Sequence, residues 1–513
     1  MGLSRKAYEI VWRLAILTLP WQTRWFVDAQ LVGWPWEQGR ISIYIAWLPL
    51  VATIILGIFQ PKRALPFSFR RNLFWLIAAL GACTIIAAPS PATAAIQWWI
   101  QVILLAAFFV TLFRTKVEPV KVALWFVLSL VPHALLAIWQ FATQTVIGSS
   151  WLGMSPQNPA DLGVSVVQTS VGRFLRAYGG FPHPNILGGW MATGLLTALW
   201  FNIPPLKLRG GKGVIWLIEG LFTLALFYSF SRSAWLAAAV GLALFVIPSV
   251  GAAPAIATLR RCGREESAKL MNLGESAKLT NVVNHPNGAK RRWLSFAIPI
   301  ILFATLTIVH RDLVFTRLQT TSRLEQKSIV TRLQTLKDGI DVFQSRLLFG
   351  TGPNSELPVL ASLKKQWIEE DSIRIAAIGQ FPGHPNSWNA DEYVRSRMAA
   401  IGPLEPPHIV WLLILVNFGI AGSLFIFGFG LYLLRSILNK WSSLDPNAKI
   451  FIPTLAICYL ILATLDHYPW SLWSGQVLSV VVVFVILSAV EGSGPKLDEK
   501  HSPRLLTDGS ESA

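Results

Sequence analysis

Charged residues are scarce in this chain. Asp, Glu, Lys and Arg make up 14% of its 513 residues, against 53% hydrophobic ones. Soluble domains carry about 25% charge, so a soluble fold of this size is excluded and an all-α polytopic membrane protein remains. Acidic side chains are scarcest: 27 Asp and Glu against 44 Lys and Arg leave a net charge of +17. Such an excess in a soluble protein would point to nucleic acid. Between apolar spans it follows from basic cytoplasmic loops, and no nucleic-acid partner is expected. Only three cysteines are present, Cys83, Cys262 and Cys458, two in apolar runs and one in a basic loop, which give no disulfide framework and no metal site. The chain also lacks a DxD pair, metal-spaced His/Cys sets, a Walker loop and a nucleotide-binding glycine motif. A nucleotide donor, an essential divalent metal and a cofactor therefore have no support.

Apolar runs are plentiful. Stretches of bilayer-crossing length, about 17–25 residues, fall near 7–21, 41–59, 72–88, 94–113, 120–147, 184–201, 213–230, 233–250, 293–309, 408–434, 449–465 and 470–490. This predicts twelve transmembrane helices, with a tight turn at Ser229–Ser233 splitting the run from Val214 to Val250. The N-terminal MGLSRKAYEIVWRLAILTLPW has the charge and apolarity of a signal peptide but no convincing small-residue cleavage site, and reads as a retained first span. Basic residues recur in every second connection: Lys62, Arg63, Arg70 and Arg71, then Arg114, Lys116 and Lys121, then Lys207, Arg209 and Lys212, then Arg435, Lys440 and Lys449. The positive-inside bias places those loops and both termini in the cytoplasm.

The expected domain plan follows from that alternation. Spans one to eight occupy 1–250, a basic cytoplasmic loop 251–292, span nine 293–309, an extracytoplasmic segment 310–407, spans ten to twelve 408–490, and a disordered tail 491–513. The 251–292 loop carries a short repeat, ESAKLMNLG then ESAKLTNVV, from Glu266 and Glu275, and reads as a flexible insert. On the outer side, His408 follows Pro406 and Pro407 at the start of span ten, where an ionisable group is a functional candidate and equally an anchor among headgroups. Arg232 lies at the hairpin between two apolar helices, to face a cavity or to snorkel to the interface. Arg176 precedes AYGGFPHPNILGGW, in which His183 reads as a hydrogen-bonding residue at a helix start rather than a catalyst. In 310–407, Ile329, Leu333, Leu336, Ile340, Phe343 and Leu347 recur at helical spacing. That stripe predicts a buried face with Arg332 beside it and Asp338 pointing away. GTGPNSELP at 350–358 predicts a sharp turn, and HPNSWNADEYV at 384–394 suits sugar hydroxyls or any polar loop. Three forked guanidiniums and an imidazole on one side of a membrane fit a lipid-linked diphosphate, with the imidazole taking a proton from an attacking hydroxyl.

These elements resemble the O-antigen ligase and O-antigen polymerase superfamily of bacterial membrane glycosyltransferases. The most specific likeness is a histidine, ten intervening residues, a glycine and a second glycine three later: His408, Gly419 and Gly422. The family usually has Asn, Ser or Gln after that histidine, where this chain has Ile409. Arg232 with Leu236 in SRSAWL, Arg176 in RAYGGFPHPNILGG and Arg332 in TRLQTLKDGIDVFQSRLLFGTGPN match its arginine-bearing segments, and DHYPWSLWSGQ at 466–476 is also similar. The resemblance implies transfer of a glycan from an undecaprenyl-diphosphate carrier to an acceptor hydroxyl outside the bacterial cytoplasmic (inner) membrane, without metal and with inversion. It makes Arg176, Arg232 and Arg332 the diphosphate-binding residues and His408 the base, with His183, Asn185 and Asp466 as possible supporting residues. The acceptor would be a lipid, a glycan or a protein. Two other functions stay open: a polymerase of the same superfamily, and a transporter of anionic lipid-linked glycans. Against transport, residues 1–250 and 251–490 show no repeat of one another.

Overall fold

The computed structural model describes residues 2–61, 64–202, 212–245, 286–319, 323–378, 390–444 and 446–492. Helices dominate them: α1 (Gly2–Thr18), α2 (Trp47–Ile58), α3 (Phe67–Ala87), α4 (Thr93–Arg114), α5 (Pro119–Thr143), α6 (Pro184–Asn202), α7 (Lys212–Tyr228) and α8 (Arg232–Phe245). They continue as α9 (Pro286–Val309), α10 (Arg311–Leu318), α11 (Arg323–Ser345), α12 (Glu356–Ile378), α13 (Ala390–Ala399), α14 (Val410–Asn439), α15 (Pro446–Leu465), the short α16 (Tyr468–Ser471) and α17 (Trp473–Gly492). The chain is a multi-pass membrane protein, with apolar side chains such as Ile55, Phe74, Ile85, Ile103 and Leu424 exposed on the helices' outer faces, as lipid requires.

Each of the twelve expected spans falls on a helix, but their crossing ability differs. Among the described residues α3, α4, α5, α14 and α15 are long and apolar enough to cross a membrane. The pair formed by α9 with α10 and α11, bent by 92°, makes a sixth if it counts as one span. By contrast α2, α7, α8 and α17 carry shorter apolar stretches. The run expected at 41–59 opens as a strand and only then becomes the 12-residue α2. A short apolar run such as ISIY does not distinguish strand from helix. The repeat at Glu266 and Glu275, Cys262, the 384–389 part of the polar loop and the tail from 493 lie outside the described residues.

The core fills the space between α1, α2, α4 to α8, α15 and α17, with Trp12, Phe108, Phe126, Trp190, Phe222 and Phe451 fully buried. Short hairpins collect at one end of this bundle. Strand β1 (Arg24–Val27) pairs antiparallel with β4 (Ile41–Tyr44), Arg24 opposite Tyr44, around the smaller pair β2 (Gln30–Leu31) and β3 (Trp34–Pro35). Strand β5 (Val166–Gln168) pairs with β6 (Arg173–Leu175). Hydrogen bonds from Thr23 to Trp151, Trp34 to Ile401 and Asn354 to Ser471 tie the connecting segments together into a cap over that end.

Candidate functional site

The cap's centre is set by a break in α14. Gly419 sits at φ 61°, ψ −167°, inside what is otherwise one helix. That conformation frees backbone groups that a bilayer would leave unsatisfied, so they need protein partners. The segment after α11 supplies them. Thr351 N–H donates to Val416 and Gly352 N–H to Asn417, while Ile420 and Ala421 N–H donate to Leu347 and Leu348. A Cβ on Gly419 would lie 2.3 Å from the Leu348 carbonyl carbon, so the approach needs glycine as much as the positive φ does. The expected glycine-rich turn at 350–358 is thus the partner of the glycine in α14.

Helix α11 lies against the start of α14, with Gly339 packed on Pro407 and Leu412. Its orientation corrects the expectation from sequence. The apolar stripe is only partly covered, with Leu333 at 62% and Ile340 at 41% exposure and Phe343 packed on a buried cluster, while Asp338 is buried at 6%. Buried Asp338 is paired with Lys364 of α12 at 3.0 Å and hydrogen-bonded by Gln334. Periodicity located one helix face but could not tell a core from a lipid-facing or exposed surface. Pro406 and Pro407 precede α14 instead of forming its first turn, and His408 stands in the bend before it. Ile409 is the N-cap and makes no side-chain cap bond, at the position where an Asn or Ser oxygen would accept a hydrogen bond from a backbone N–H of the first turn.

One polar chain reaches His408, and a second lies within electrostatic range of its first member, Arg176. In the first, Arg176, buried between β6 and α6, donates Nε–H to the Ser229 carbonyl at 2.9 Å and an Nη2 hydrogen to Asn185 Oδ1 at 2.6 Å. Asn185 Nδ2 donates to Asp466 Oδ2 at 2.9 Å, and the His467 backbone N–H donates to Asp466 Oδ1 at 3.0 Å. Asp466 Oδ1 then faces His408 Nδ1 at 3.8 Å, while His408 Nε2 faces Glu405 at 3.7 Å. Both are ion-pair separations, too long for formed hydrogen bonds. Burial works against a charged imidazole, but Asp466 and Glu405 outweigh it and raise His408 to about 9. Burial works against the Asp466 carboxylate, but the neighbouring imidazoles, His408 foremost, outweigh it and drive Asp466 well below the usual carboxylate range, His467 and His183 adding to this only at acid pH, where they are charged.

The other two histidines are held neutral. Burial lowers His467 to about 4, and burial with the charge of Arg176 lowers His183 to about 3. His183 Nδ1 accepts the Asn185 backbone N–H at 3.1 Å, so its Nε2 carries the proton and donates to Ser165 Oγ at 3.1 Å. His467 Nδ1 lies 2.6 Å from Ser471 Oγ.

In the second chain Glu325, buried at the start of α11, joins two arginines. Its carboxylate takes Arg232 at 2.9 Å and also binds Arg317 of α10, whose Nε–H donates to the Phe230 carbonyl at 2.9 Å. Arg176, Arg232 and Arg317 lie near enough to repel one another, and Arg332 acts in the same way on Arg317, His408 and His467. All four expected cations therefore belong to one electrostatic cluster. Arg317 and Glu325 were not singled out from the sequence, although RDLVFTRL and SRLEQK place them on consecutive helices. Arg176 and Arg332 have no carboxylate at ion-pair distance among the described residues, whereas Arg232 and Arg317 share one.

His408, Asp466 and His467 also offer one nitrogen or oxygen each within 4.8 Å of one another, the group among the described residues whose spacing could hold a metal ion. Each Asp466 oxygen already accepts a hydrogen bond and His467 Nδ1 already contacts Ser471, so the set is engaged in an internal network.

Fold and site together define a multi-pass membrane protein with a cluster of arginines, histidines and carboxylates at one end of its bundle. Residues 220–427 match the model of the Wzy_C family, described as O-antigen ligase, and this supports a ligase- or polymerase-type glycosyltransferase. The resemblance to the O-antigen ligase and polymerase superfamily is thereby shown. The matched stretch contains Arg232, Arg332, His408, Gly419 and the residues between them, while Arg176 and Asp466 lie outside it. No curated protein matches the chain.

Proposed function

We propose that the protein transfers a glycan from an undecaprenyl-diphosphate donor to an acceptor hydroxyl on the extracytoplasmic side of the bacterial inner membrane. The observation that carries this reading is the pair of guanidiniums without carboxylate partners among the described residues: Arg176, linked through Asn185 to Asp466, and Arg332, within electrostatic range of His408. Arg176 is buried with only neutral hydrogen-bond acceptors and Arg332 is half-buried without a carboxylate, and a diphosphate would give both guanidiniums bidentate charged contacts. Arg232, held by Glu325, would line the same anion site. In the step itself the acceptor oxygen attacks the anomeric carbon, the bond from that carbon to the diphosphate oxygen breaks, and undecaprenyl diphosphate leaves with the electron pair. The acceptor's proton passes to His408. Asp466 orients the imidazole and stabilises the imidazolium that forms, as a buried carboxylate does in other base pairs of this kind.

A carboxylate close to the base raises the question of retention through a covalent intermediate. Both oxygens of Asp466 already accept hydrogen bonds, which favours orientation over nucleophilic attack and keeps inversion as the expected outcome. Deleting the gene in its host and sizing the surface glycan tests the reading. Loss of a ligase leaves full-length lipid-linked polymer, loss of a polymerase leaves single repeats, and either supports a transferase. Intermediates retained on the cytoplasmic side would instead make the protein a transporter and overturn the proposal.

A further inference from the structure

A separate cavity of about 260 Å³ lies beneath the β1–β4 hairpin, walled by Arg24 and Tyr44 on that hairpin, Gln157 and Tyr178 from the 146–182 segment, and Trp473 and Ser474 at the start of α17. It is smaller than the roughly 300–1,000 Å³ of drug-sized sites. Its walls differ in kind from the arginine cluster. Arg24 is paired with Glu37 at 2.6 Å, and Arg40 with both Glu37 at 2.7 Å and Asp28 at 2.9 Å, so the charges on this side cancel. A neutralised wall does not call for an anion. Tyr44 and Trp473 stack with centroids 5.0 Å apart and form an aromatic side. Two polar groups there want partners: Ser474 Oγ and Trp473 Nε1 are buried and make no hydrogen bond among the described residues. Unused hydroxyl and indole donors beside a buried aromatic stack, with no net charge, match the hydroxyls of an uncharged sugar ring.

The cavity adjoins the arginine–histidine site. Pro182 lines it and the next residue is His183; Leu472 lines it and follows Ser471, the partner of His467. Every residue of its lining lies outside 220–427, the stretch shared with the O-antigen ligase family. Resting on the transferase reading above, we infer that this cavity binds an uncharged sugar residue of the acceptor glycan and so presents its hydroxyl to His408.

The test uses the full-length protein in lipid nanodiscs and diazirine-bearing methyl glycosides of glucose, galactose and N-acetylglucosamine. Photolabel is expected on peptides covering 22–44, 146–157 or 472–474. Ser155→Trp, which fills the cavity from an exposed position, should cut that labelling about tenfold, and Ser474→Ala should weaken it several-fold. His408→Ala should leave it unchanged. Absence of label from all three stretches, or equal labelling in both cavity variants, overturns the sugar site. A kinetic arm separates the two glycans, with labelled undecaprenyl-diphosphate glycan as donor and glycan extracted from the host as acceptor. Ser155→Trp should raise the acceptor KM about tenfold with the donor KM unchanged. A rise in donor KM instead overturns the acceptor assignment. A wild-type protein that labels but transfers nothing defeats the transferase reading, with the sugar site intact.

Discussion

Glu325 divides the arginines into two kinds. Arg232 and Arg317 share its carboxylate, while Arg176 and Arg332 stand without one among the described residues. Substitutions should separate accordingly. Arg332→Lys keeps the charge but loses the fork, and should slow transfer by roughly one to two decades, the worth of a charged hydrogen bond of about 1.5–3 kcal/mol. Arg232→Gln should act first on stability, lowering it on the order of 1–3 kcal/mol as buried Glu325 loses a partner. Steady-state kinetics and thermal unfolding in detergent tell them apart, and equal donor affinity and turnover in Arg332→Lys would remove that arginine from the diphosphate site. Arg176, Arg232, Arg332 and His408 were legible one by one, because a cation beside an apolar run is conspicuous. Asp466 was legible only as a possible supporting residue that the resemblance implies. Its importance comes from Asn185, 281 positions away in sequence, and from His408, which no spacing rule connects to it.

At the scale of elements, α14 carries two departures from an ordinary helix. Gly419→Ala would force a Cβ into the backbone of Leu348 and Phe349 and strain a positive φ. It should lose the inserted fold, read as aggregation on detergent extraction; a monodisperse, active Gly419→Ala protein would show that the break is dispensable. Ile409→Asn should do the reverse. An N-cap acceptor is worth about 0.5–2 kcal/mol, so thermal stability should rise, and an unchanged melting temperature would mean that no N–H at the start of α14 lacks a partner. Helix positions were readable because apolar runs are long and unambiguous. The break at Gly419 was not, since a glycine in a span is common and only the opposing 347–352 segment reveals its purpose. The orientation of α11 failed for a related reason: in a membrane protein, the apolar face does not have to be the inward face.

For the whole molecule, charge alternation in the loops predicts sidedness, and the clustering of hairpins, α11 to α13 and the arginines at one end of the bundle gives that sidedness a functional meaning. Reporter fusions at Asn158 and Ser355 should read extracytoplasmic, and fusions at Lys116 and Lys440 cytoplasmic. A cytoplasmic signal at Ser355 would place the site on the side opposite to the one proposed. Broad architecture was legible here because apolar length is a property of composition. The small strands were not, since 2- to 4-residue strands such as β1 and β2 carry no periodicity of their own.

The proton acceptor is the centre of the account, and a pH–rate profile addresses it most directly. Asp466 and Glu405 raise His408 above its ordinary 6.5 to about 9, so about one molecule in a hundred holds the neutral form at pH 7. Purified protein in lipid, with labelled undecaprenyl-diphosphate glycan, should therefore transfer faster as pH rises, with the gain levelling near 9. Asp466→Asn should move that inflection down, because the charge that favours the imidazolium is gone. His408→Ala should slow transfer by about 10²–10⁴-fold and flatten the profile, while donor binding stays close to wild type. A His408→Ala protein that transfers near the wild-type rate, with the same rise in pH, would contradict the account: the proton would then go to another group, and His408 would only stand at the start of α14.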